Sequence, residues 1–128
     1  MSSSINPNLL AGWLGFLLGA SSGAAIGLSF HREDWLGGYS SFRRRLLRLG
    51  HIAFFGLGFI NILFALSAGI APSTQFTRFA SPMLIAGAIT MPLVCFLSAW
   101  KTVFRHLFFI PVVSIAGGIG AFLLNWLR

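Results

Sequence analysis

Acidic side chains are almost missing from this sequence: the adjacent Glu33 and Asp34 are the only two in 128 residues. Charged residues of both signs make up 9% of the chain, where a soluble domain carries about 25%. With 56% hydrophobic residues and a mean hydropathy of +0.85, the chain does not have water as its main solvent. No Asp, Glu, Lys or Arg interrupts the four longest apolar stretches. That disfavours a proton-coupled carrier, because intramembrane ionisable groups mark proton relays and ion paths. The sequence also has no GxSxG, no HExxH and no phosphate-cradling glycine loop, so catalysis by this chain alone is not expected. A single cysteine, Cys95, excludes an internal disulfide and reads as a small buried hydrophobe.

What is present is apolar length. Four stretches, residues 9–30, 49–71, 82–100 and 107–127, approach or exceed the roughly 20 residues that cross a hydrocarbon core about 30 Å thick. They are too long and too uniformly apolar for barrel strands, and a lone span in lipid must satisfy its own backbone hydrogen bonds. The expected fold class is therefore all-α: a polytopic membrane protein whose four transmembrane helices form two helical hairpins, as one integral membrane domain over residues 1–128. The leading MSSSINPN has no basic stretch, so the first span is not expected to be a cleavable signal.

Charge is sorted along the chain. Arg32, Arg43, Arg44, Arg45 and Arg48 follow the first span, and Lys101 and Arg105 follow the third; Arg78 and Arg128 fall on the other side. The positive-inside rule then puts the basic loop 31–48 and residues 101–106 in the cytoplasm and both termini outside, in a bacterial inner membrane or a plasma membrane. The sequence pI of about 11.8 reflects this topology, and nucleic acid is not an expected partner. Arg43, Arg44, Arg45 and Arg48 are candidates for lipid head-group contact. Trp35, Tyr39 and Phe42 have the character of interfacial anchors. Ser40 or Ser41 is placed to cap a helix that runs through the arginines into the second span.

In the connector APSTQFTRFASP, Ser81-Pro82 reads as an N-cap followed by proline at the first helical position. Pro92 should bend the third span, and Pro111 does less harm near the start of the fourth. A faint repeat links RLGHIAFFGLG to FRHLFFIPVV, although fourteen phenylalanines make such matches cheap.

Three groups of residues are candidates for function. His31, His51 and His106 share the cytoplasmic layer, where His51 and His106 would form an axial pair for haem or contact a quinone if their helices were adjacent. The competing reading makes all three interfacial side chains. A metal site joining them to Cys95, or soft copper on Met91 and Cys95, has too few ligands to compete. Ser21, Ser22, Asn61 and Thr90, with Gly117 and Gly118, form a second layer that serves either as interhelical hydrogen-bonding glue or as the lining of a path. Finally, Gly15, Gly19, Gly23 and Gly27 recur at intervals of four. Such a register lets another backbone approach closely in lipid, where burying apolar side chains gains nothing. Span two, a second copy of the chain or another subunit would fill it.

The leading functional expectation is a structural or accessory subunit that packs within a larger membrane complex, with the lipid bilayer and other membrane subunits or a copy of itself as partners. The alternatives are a haem- or quinone-binding redox protein using His51 and His106, and a small transporter or channel running past Asn61 and Thr90.

Overall fold

The computed structural model describes residues 5–127. Every regular element among them is helical: α1 (Pro7–Gly27), α2 (Phe42–Ala68), α3 (Gln75–Trp100) and α4 (Phe109–Trp126), with 3-10 turns at Trp35–Gly37 and Thr102–Phe108. All four helices are long and apolar enough to cross a membrane, the fourth together with its 3-10 lead-in. The fold is thus the four-helix, all-α architecture that the apolar runs imply. Arg128, placed on the outer side by the charge distribution, lies outside the described residues, as do residues 1–4.

Local chemistry sets the helix starts. Asn6 caps α1, its side chain accepting from the Asn8 and Leu9 amides at 2.9 and 3.3 Å, and Pro7 at the first position gives up only an N–H that has no helical partner anyway. Ser41 caps α2 through the Arg44 amide at 3.2 Å, so that helix begins at Phe42, well before its apolar run.

The third start differs from the expectation. Ser81 is not an N-cap: Thr74 caps α3 through the Phe76 amide at 3.2 Å, and both Pro82 and Pro92 lie inside the helix. A helix satisfies its own backbone wherever it runs, so it continues beyond the apolar segment through Gln75, Thr77 and Arg78. The Ser-Pro pair marks where the apolar run begins, not where the helix does.

Consecutive helices are antiparallel and pack as a row. α1 lies along α2, α2 along α3 and α3 along α4, with a narrower contact between α1 and α3. Among the described residues no Cα of α4 comes within 8 Å of α1 or α2. The row is therefore open, not closed into a ring. The 28–41 turn and the Thr102–Phe108 turn share one end, the basic end; the α2–α3 connector and the C-terminal turn of α4 share the far end. There α2 and α4 meet through side chains, with the Phe64 and Phe122 rings 5.0 Å apart over a small core of Phe64, Ala80 and Leu84.

Candidate functional site

The α1 glycines face α2. A Cβ at Gly15 would lie 2.9 Å from the Phe54 carbonyl oxygen, and one at Gly12 2.8 Å from that of Gly58. At Gly19 the added atom would meet the Phe55 ring at 2.7 Å, and at Gly23 the His51 ring. Gly27 has nothing within 4 Å. The four-residue register thus lies on α2 at three of its four members, and Gly12, outside the strict spacing, makes one of the two backbone approaches. On the facing helix, Gly58 returns the contact, with the Gly12 carbonyl oxygen 3.0 Å from its own hypothetical Cβ.

This packing decides where His51 points. Its ring lies over Gly23, edge-on to Phe55 at 5.4 Å, and Nδ1 is 3.3 Å from Ser22 Oγ. Ser22 Oγ also lies 3.1 Å from the Gly19 carbonyl, so the hydroxyl is placed between its own helix and the His51 ring. His106 is exposed on the Thr102–Phe108 turn, no Cα of which lies within 8 Å of α2. His31, also exposed, donates from Nδ1 to the Leu28 carbonyl at 2.8 Å. The three histidines share one end of the molecule, as the topology implies, but the His51 ring is turned to α1 and away from His106. Cys95 is buried against α2, its Cβ 3.1 Å from a Cβ built at Gly50. Among the described residues no three His, Cys, Asp or Glu side chains come together.

The buried polar side chains form two clasps near the far end. Asn61 is fully buried, its Oδ1 accepting from Asn8 Nδ2 at 2.8 Å while its own Nδ2 donates to the Leu57 and Leu84 carbonyls at 2.9 and 3.3 Å. Asn8 Nδ2 also reaches the Ser81 carbonyl at 3.3 Å, and Ser81 Oγ donates to Asn8 Oδ1. Three helices are joined by one satisfied network. The second clasp ties α4 back to the start of α3: Thr74 Oγ1 donates to Asn125 Oδ1, and Asn125 Nδ2 reaches the Pro72 carbonyl at 3.4 Å. Of the other candidates of the polar layer, Ser22 meets His51 of α2, while Thr90 and Ser21 turn inward on their own helices. Thr90 donates to Ala86 O at 2.7 Å and Ser21 to Leu17 O at 2.8 Å. Asn61 therefore bridges helices through Asn8, not Thr90. Asn8 escaped the sequence reading because it precedes an apolar run, where a polar residue looks like loop, and Asn125 because a lone amide in the last turn of a run carries no local sign of its partner.

At the basic end the four arginines separate. Arg44 is only 2% exposed; it donates to the Arg32 carbonyl at 2.9 Å and the Glu33 carbonyl at 3.4 Å, while the Phe30 and Trp35 rings each lie 5.3 Å from its Cζ. Its Nε has no partner. Arg44 is thus the centre about which the 28–41 turn folds, not a head-group contact in this arrangement. The turn is tight: Leu36, Gly37 and Gly38 all have positive φ, at 55°, 88° and 92°. Arg48 lies over the Tyr39 ring at 4.3 Å, and Arg43 and Arg45 are exposed.

Comparison with family models, curated proteins and solved structures gives no match.

Proposed function

We propose that the chain is a non-catalytic membrane subunit, a four-helix scaffold that packs within a larger membrane assembly. The observation that carries this reading is the open row: α4 packs along α3 and meets α2 only through side chains at the far end, and a cavity of about 650 Å³ remains beside α3 and α4, lined by Phe79, Met83, Gly120 and Leu124 among others. Gly120 has nothing within 4 Å of a hypothetical Cβ, so another backbone can approach α4 there. The glycine register of α1 belongs to the internal packing of the scaffold, as the GxxxG-type surface that seats α2. On this reading the partner surface is on α4, beside the cavity, and the packed members of the α1 register serve the internal contact with α2.

The polar side chains best suited to chemistry support the same reading, because they hold the chain together: Asn61 is spent on the three-helix clasp, and His51 is held between Ser22 and Phe55. A haem or quinone role for His51 and His106 would require the His51 ring to leave that seat. The orientation that fits the charge distribution has the basic end in the cytoplasm and both termini on the opposite side of a bacterial inner or plasma membrane.

Photo-crosslinking in native membranes tests this function. A crosslinking residue at Leu124 should give one discrete product with a second polypeptide or a second copy, while one at the exposed Leu17 on α1 should not. Equal, diffuse labelling at both positions contradicts it.

A further inference from the structure

A second groove, on the other side of the row, is suited to a ligand. It lies between α1 and α3 with α2 as its floor, has a volume of about 510 Å³, and is almost wholly apolar. That volume is within the range of small-molecule sites, roughly 300–1,000 Å³. On α3 it runs from Ile85 to Phe96, a rise of about 16 Å at 1.5 Å per residue. On α1 it is lined from Pro7, at the far end, to Leu18, so the groove runs through the middle of the bundle while its α3 side reaches toward the basic end.

The α3 side of the groove points to a pair of cations at the basic end. Trp100 follows Phe96 by one turn on the same α3 face. Arg43 precedes Phe54, a floor residue, by three turns on the same α2 face. These two faces converge: Arg43 Nη2 donates to the Trp100 carbonyl at 3.4 Å, and Lys101 Nζ stands 5.0 Å from the Trp100 ring centroid. Both cations are exposed, and the chain's two carboxylate side chains, Glu33 and Asp34, lie on the 28–41 turn. An apolar slot whose α3 side stops one turn short of an interfacial tryptophan and two cations has the amphiphilic pattern of a phospholipid.

We propose that this seam is a binding site for an anionic phospholipid, with the phosphate at Arg43 and Lys101 beside Trp100 and one acyl chain in the groove between α1 and α3. The charge of the seam selects the head group, and the groove distinguishes a lipid from a soluble anion. Arg45, on the opposite face of α2, takes no part.

Native mass spectrometry of the full chain in detergent, titrated with phosphatidylglycerol or with phosphatidylcholine of the same acyl chains, tests the assignment. Phosphatidylglycerol should be retained as a one-to-one adduct with a preference of roughly tenfold or more. Arg43→Gln combined with Lys101→Gln should abolish that preference, while Arg45→Gln, an equal loss of surface charge at the same end, should leave most of it. Ala88→Trp, which fills the groove, should weaken both adducts, and glycerol phosphate should not compete. Equal retention of the two lipids, a preference lost equally in the Arg45 variant, or displacement by glycerol phosphate would each overturn the proposal. The arginine and lysine variants lie at the surface, so they remain informative if Ala88→Trp does not fold.

Discussion

A guanidinium taken almost wholly out of solvent without a carboxylate must be held by neutral groups. Arg44 is, by two carbonyls and two aromatic faces. Hydrogen bonds from a charged donor contribute about 1.5–3 kcal/mol each, and a cation over an aromatic ring adds about 0.5–1 kcal/mol. Because the unfolded chain recovers part of this by solvation, Arg44→Gln should lower the unfolding free energy by about 2–4 kcal/mol, whereas the exposed Arg45→Gln should change it by no more than about 0.5 kcal/mol. Reversible unfolding in mixed detergent micelles measures both. In the same turn Gly38 has φ 92° and ψ 170°, a conformation open in practice only to glycine. Gly38→Ala should therefore cost about 1–3 kcal/mol in the same assay, although its side chain would meet little.

At the scale of the element, the sequence was most legible where the signal is local. The four apolar runs specify four helices, and Ser41 is readable as a cap because its hydroxyl needs only the amide three residues on. The start of α3 was not readable, because Thr74 and Ser81 both offer a local cap and the apolar run does not show that the helix begins before it. The α1 register was visible, but its partner was not, since spacing shows that a backbone can approach and not which one does. The structure adds a ranking. Gly15→Ala places a methyl against a fixed carbonyl oxygen, Gly23→Ala against a ring that can rotate, and Gly56→Ala against open space. Destabilisation should follow that order, with Gly56→Ala neutral or slightly stabilising because glycine is the poorer helix former by about 0.5–1 kcal/mol. Helix-pair stability in micelles measures the order, and equal tolerance of Gly15→Ala and Gly56→Ala would contradict the close approach of α1 and α2.

For the whole molecule, the far-end clasps and the open row have separate consequences. Asn8, Asn61 and Ser81 converge from three helices, so losing Asn61 leaves one buried N–H of the Asn8 amide without its acceptor. Asn61→Leu should cost about 1–3 kcal/mol. Adding Asn8→Leu should cost less than the sum of the two single changes, since the second removes the group left stranded by the first. This convergence was beyond the sequence because it depends on the relative depth of three helices. The open row bears on the proposed function: no Cα of α4 comes within 8 Å of α1 or α2 among the described residues, and we propose that another chain completes the packing around α4. The measurement that tests this most directly is the mass of the particle extracted from native membranes in mild detergent. A defined complex of fixed stoichiometry, larger than one 13.9 kDa chain with its lipid and losing its partner on Gly120→Leu, is the result predicted. A stable monomer carrying lipid alone, unchanged by that substitution, would contradict it.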